Sequence, residues 1–272
     1  MSLLGFQRAM ADLAASPDLC RAARADARAA LAGYDLTPLE HRRVASAAAQ
    51  RGMIINCRLH RSNRSSTILT LLRGTVHLLG KELRATADRF WAAYPTPDFT
   101  TRREIRRFAG WLVDEVRAGR IDSPFLAEIV EWELAQYELG MIAPRRTKAK
   151  LAEIAERWPD GPLALHPMVR VAAFRHDPAV ILQRAFQKHP LPWDNVPTGE
   201  FYLLLDAREG REVIPMDVDT GRALLAIQNG GPIPGEHRDE FLAEGLLVRT
   251  APEDAKASAD VDATEPELAG IA

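Results

Sequence analysis

Residues 199–249 constrain this chain more than any other stretch. Residues 201–205 (FYLLL) are an apolar run with β-forming aromatics, and residues 212–218 alternate fairly well between apolar and polar, so two strands are expected. Ala207-Arg208-Glu209-Gly210 between them suits a hairpin loop. Residues 220–228 read as a helix closed by Asn229-Gly230-Gly231, residue types that tolerate left-handed backbone at a helix end. Residues 235–243 read as a last helix, and 246–248 as a final strand. That order builds a small sheet packed on helices. It contains no nucleophile motif, phosphate loop or metal cluster, so binding is the expected task of this end of the chain.

The 272 residues suffice for one large or two ordinary domains. Apolar residues at 47% and charged residues at 26% are ordinary for a globular protein. A net charge of −2 argues against general nucleic-acid binding, which needs a clustered basic face. Cys20 and Cys57 form no CxxC or Cys/His pattern and read as free thiols in a reducing compartment. Arg8 and Asp12 interrupt the place where a signal-peptide core would lie, and no stretch approaches the roughly 20 apolar residues of a membrane span. The expectation is a soluble, cytoplasmic protein.

Ahead of residue 160 the period is helical. Leu3, Phe6, Met10 and Leu13 share one helix face; Ser16-Pro17-Asp18 ends that helix and starts another. Thr37-Pro38-Leu39-Glu40 repeats the device, with an N-cap, a proline at the first helical position and a glutamate three residues past the cap. A longer helical pattern spans 54–91, interrupted by polar residues in CRLHRSNRSS and stopped by Tyr94-Pro95-Thr96-Pro97. Two further helices span 101–118 and 124–139. PRRTKAK (144–150) reads as a basic exposed boundary before a short helix, and Pro159-Asp160-Gly161-Pro162 as a turn or linker. Residues 169–176 then read as a strand. The expected division is a helical segment at 1–50, a bundle at 51–160, an α+β domain at 161–250 and a disordered acidic tail at 251–272, with six acids and one lysine.

Candidate chemistry is sparse. His60, Asn63 and Arg64 sit at helical spacing but read best as an internally bonded patch, with nothing nearby to complete a metal site. His166, His176 and Asp177 lie near a strand without a nucleophile beside them. Glu128, Glu131 and Glu133 lack the Glu-x-x-His spacing of di-iron helices and read as surface charges, and the arginines at 102–107 as a solvated face. No dinucleotide, Walker, zincin or nucleophile-elbow motif is present, so the chain is not expected to be an enzyme on its own.

HRSNRSSTILTLLRGTVHLLG, FWAAYPTP and the Ile129-Val130-Glu131-Trp132-Glu133 helix resemble the partner subunits of multinuclear non-haem iron oxidases that modify ribosomally made peptides, such as those of the methanobactin and thiaglutamate pathways. HPMVRVAAFRHDP and the 199–249 stretch are similar to their second domain, which resembles the recognition elements that hold precursor peptides. The resemblance implies an N-terminal helical bundle with a C-terminal winged-helix-like peptide-recognition domain. It also implies a non-catalytic subunit that binds a precursor leader and presents the core to an iron oxidase. Iron would belong to the partner, with no cofactor or metal in this chain. An extended leader can add a strand to a sheet edge. By that analogy strand 212–217 offers the edge and the last helix the other wall, with Val213, Ile214, Met216, Phe241 and Leu242 as lining residues. The rival is a winged-helix DNA-binding regulator, against which stands the single cation, Arg222, on the helix at 220–228.

Overall fold

The computed structural model describes residues 3–95, 100–187 and 195–252. The expected tail beyond Pro252, and Thr96-Pro97 of the expected break, lie outside them. The chain is α+β and divides into two compact units, Met1–Leu126 and Ala127–Ala272. Among the described residues no helix is long and apolar enough to cross a membrane.

The first unit is helical: α1 (Leu3–Ala15), α2 (Pro17–Ala25), α3 (Ala27–Ala30), α4 (Pro38–Ala49), α5 (Arg51–Leu71), α6 (Arg73–Leu79), a 3₁₀ turn (Gly80–Glu82), α7 (Leu83–Ala93) and α8 (Thr101–Arg117). Ser16 caps α2 through the Leu19 N–H. Thr37 and Glu40 form a reciprocal capping box on α4, with Pro38 at the first helical position. Ala9, Leu13, Cys20, Ala23, Leu31, Val44, Ala48 and Cys57 are buried together. The two thiols are free and buried, and donate to the Ala48 and Leu13 carbonyls.

Helix α5 runs unbroken through CRLHRSNRSS, correcting the expected interruption. Its polar residues are accommodated because Arg64, 7% exposed, turns inward and donates to Glu104 at 2.5 Å and to the Tyr94 carbonyl at 3.1 Å. The Arg64 guanidinium lies over the Phe90 ring at 5.4 Å, and Phe90 in turn packs with Phe108 and Trp111, meeting Phe108 edge to face at 5.1 Å.

The second unit holds α9, whose span Leu126–Gly140 begins at the division, then α10 (Pro144–Arg157), β1 (Leu163–Leu165), β2 (Val169–His176), α11 (Pro178–Phe186), β3 (Thr198–Asp206), β4 (Glu212–Met216), α12 (Val218–Gln228), α13 (Gly235–Ala243) and β5 (Leu247–Arg249). The expected boundary at 144–150 is instead the exposed first half of α10, because Pro144 sits harmlessly in its first turn. Strands β2, β3 and β4 form an antiparallel sheet in that order, and β1 pairs with β5 separately.

Helix α12 lies on one sheet face. Val169, Val171, Tyr202 and Leu204 from the sheet join Ala223, Leu224, Ile227, Phe241, Leu246 and Leu247 in a buried core. The approach is close enough to require glycine at 221, where an added Cβ would lie 2.3 Å from the Tyr202 ring. Helices α12 and α13 both end in a Schellman turn. Gly231 N–H reaches the Ala226 carbonyl and Leu246 N–H the Phe241 carbonyl, with Gly230 and Gly245 in left-handed conformation.

Candidate peptide-binding edge

The register settles which way each residue of the small sheet faces. The Gln228 amide brackets Val171, accepting its N–H at 2.7 Å and donating to its carbonyl at 3.0 Å. Val171 therefore turns its backbone groups away from β3, and the alternate residues of β2 bond to β3. Ala207 N–H donating to the Met168 carbonyl continues that alternation. Leu203 and Leu205 then bond toward β2, which leaves Tyr202, Leu204 and Asp206 to bond β4 at Met216, Ile214 and Glu212. Val213 and Pro215 consequently point their backbone groups outward. Proline agrees independently, since a residue without an N–H belongs where the ladder needs no donor.

The outer side of β2 is covered at two places. Besides Gln228, the Glu128 carboxylate on α9 accepts the Arg175 and His176 N–H groups at 3.1 and 3.3 Å and meets His176 Nδ1 at 2.7 Å. Glu128 and Glu133 are both buried, so the expectation of surface charges fails for them. Carboxylates survive inside when their lone pairs are taken, as Glu128 shows. Among the described residues nothing covers the outer side of β4: residues 212–215 are exposed and Met216 half-buried. Its backbone offers the Val213 N–H and carbonyl and the Pro215 carbonyl.

The five expected lining residues separate. Val213 and Ile214, 48% and 38% exposed, lie on the edge strand but on opposite faces, Ile214 on the side of Leu204 and the helices. Met216 packs against the core at the inner end of the strand. Phe241 is 1% exposed, inside the core with its ring stacked on His237, and Leu242 lies at the core margin. The helix that lies against β3 is α12, fixed by Arg222 to Glu200 at 2.8 Å; within β3 the Tyr202 hydroxyl donates to the same Glu200 carboxylate at 2.5 Å. Arg222 is thus held by Glu200 and also reaches Asp219.

The β3–β4 hairpin is pinned at its turn. Arg208 donates to both oxygens of Asp206 and to the Glu244 carbonyl at the end of α13. Burial pushes the Asp206 carboxyl up, but the Arg208 side chain and backbone N–H outweigh it and hold Asp206 below its usual range. His166, whose Nδ1 accepts the Met168 N–H, is held below the ordinary imidazole value by burial and by the Arg208 charge. Asp177 caps α11 through the Ala179 N–H. His166, His176 and Asp177 thus have separate structural partners. Among the described residues no group of three or more His, Cys, Asp or Glu is placed to hold a metal ion.

Sequence reasoning missed Gln228 and read Glu128 as a surface charge, because the amides they cover lie 57 and 47 residues away. Pro215 was a legible edge signal. Compared with known proteins, the chain matches no family model and no curated protein.

Proposed function

We propose that this chain is a non-catalytic recognition subunit that binds the leader of a ribosomally made precursor peptide and presents the core to a partner multinuclear iron oxidase. The observation that supports it is the asymmetry of the sheet: β2 is covered by Gln228 and Glu128, whereas β4 is bare with two apolar side chains in the open. In this reading the second unit is a winged-helix-like module. The leader lies antiparallel or parallel to β4, bonds at Val213 and the Pro215 carbonyl, and places alternate side chains against Ile214 and Val213.

Three such bonds contribute about 1 kcal/mol each, well short of the roughly 8 kcal/mol of a micromolar complex. Two or three apolar anchors of the leader must therefore supply the rest against Ile214, Val213 and the half-buried Met216. The DNA-binding alternative loses its reading cation, since Arg222 is engaged with Glu200.

The experiment is co-expression and co-purification with a multinuclear iron oxidase from the same source and titration with a fluorescein-labelled precursor leader. A stable complex and micromolar saturation are expected. A chain that pairs with no oxidase, binds no leader and shifts duplex DNA defeats the reading.

A further inference from the structure

The first unit has a groove of its own, independent of the strand edge. A cavity of about 940 Å³ is lined along α5 by Ile54, Arg58, Arg61 and Ser65 and along α7 by Arg84, Asp88 and Trp91, with the start of α2 at one side. Both helices present the lining at steps of three and four residues, so each offers one continuous stripe. A smaller apolar hollow of about 170 Å³, lined by Ile68, Leu69, Leu83 and Ala87, shares Ser65, Arg84 and Trp91 with it. The groove therefore runs along α5 from Ile54 to Leu69, about 22 Å at 1.5 Å per residue. It is basic over most of its length and apolar at one end.

Its charges are not balanced from within. Arg61 is paired to Asp88 at 2.8 Å and lies over the Trp91 ring at 5.1 Å, and Arg21 is paired to Asp18. Arg58 and Arg84 are exposed and have no partner among the described residues. Among the described residues Arg61 Nε and Trp91 Nε1 are buried without a hydrogen-bond partner, a condition that folded proteins rarely leave unanswered. Leu69 stands 46% exposed at the apolar end.

We infer that this groove docks an acidic peptide segment of another protein, with carboxylates at Arg58 and Arg84 and an apolar residue in the hollow beside Leu69. Charge complementarity selects an acidic occupant, and the length and apolar end select a peptide over a single small anion. Exposed cations of this kind steer encounter and set specificity, so binding should weaken with salt.

The test uses the full chain and a fluorescein-labelled peptide of about 15 residues carrying Glu and Leu at helical spacing, matched to the groove length. Micromolar saturation is expected. The double variant R58E/R84E should weaken it about tenfold, and Leu69→Asp by several-fold, with unchanged melting curves. V213P, in the other unit, should leave it unchanged. No saturation by the unaltered chain, or equal binding by R58E/R84E, overturns the inference. Equal displacement by polyglutamate without leucine, or by inorganic phosphate, marks a plain anion site and overturns the peptide reading. Loss of binding in V213P would place the peptide on the strand edge and overturn this location.

Discussion

The two edges of one three-stranded sheet are treated in opposite ways. At β2 the outward groups of Val171 are met by Gln228 from α12, and the Arg175 and His176 N–H groups by Glu128 from α9. At β4 the same kind of backbone faces outward over an exposed strand, and a proline is the main restraint on pairing. Unpaired edges invite association and are normally covered, charged or broken. A fold that seals one edge with a buried carboxylate and a side-chain amide, yet leaves the other with Val213 and Ile214 showing, has an edge available for a strand from outside.

The largest effect should come from removing the carboxylate seal. Glu128→Ala leaves two backbone N–H groups without their acceptor in a part-buried setting and removes the contact to His176, three bonds of about 1 kcal/mol each, so a loss of about 3 kcal/mol is expected in urea unfolding of the full chain. Glu128→Gln keeps an acceptor and should lose roughly 1 kcal/mol. A Glu128→Ala variant within experimental error of the unaltered chain would mean that the β2 edge needs no cover, and the contrast with β4 would lose its meaning.

Gln228→Leu comes next. It removes the two bonds to Val171, about 1 kcal/mol each, while nearly keeping the volume of the side chain. The Val171 amide should lose protection in hydrogen exchange before its neighbours do. Unchanged protection there would show that the amide faces β3, and would reverse the derived assignment of the whole ladder.

Much of the architecture was legible because it is local. Thr37-Pro38 and Glu40 announce a helix start, the alternation of 169–176 marks β2, and Asn229-Gly230-Gly231 ends α12 as expected. Helix α11 escaped because Asp177-Pro178, here a cap and first turn, looks the same as a loop end. Strand β1 is three residues long and exists only by pairing with β5, at the far end of the unit in sequence, which no local pattern announces. The candidate site divides the same way. The strand itself follows from alternation, whereas Val213 and Ile214 as its open edge were expected only by analogy, although Pro215 is the residue type that marks an edge. The burial of Phe241 depends on how α13 meets the sheet, and the burial of Glu128 on amides brought to it by the fold.

On the open edge the stability effects are small and the binding effects specific. Val213→Pro removes the outward N–H without touching the ladder, and edge strands accept proline. Stability should move by less than about 1 kcal/mol, while a leader peptide should bind about fivefold more weakly for the lost bond. Equal leader affinity in V213P would remove Val213 from the site and leave the β4 edge without a bound strand.

Pro215→Val tests the edge with the smallest expected change of all. If residue 215 faces outward, as the Gln228–Val171 pairing requires, the N–H that the substitution introduces points to solvent and adds nothing to the sheet. Stability should then shift by no more than about 0.5 kcal/mol, the ordinary range of a surface substitution. The new amide at position 215 should exchange nearly as fast as an unfolded one, and the completed edge should raise leader affinity or self-association. If residue 215 instead faces β3, the new N–H completes a ladder bond with Leu203, the variant gains about 1 kcal/mol and the amide is protected. Hydrogen exchange at that one amide therefore decides between an edge open at Val213 and one open at Ile214.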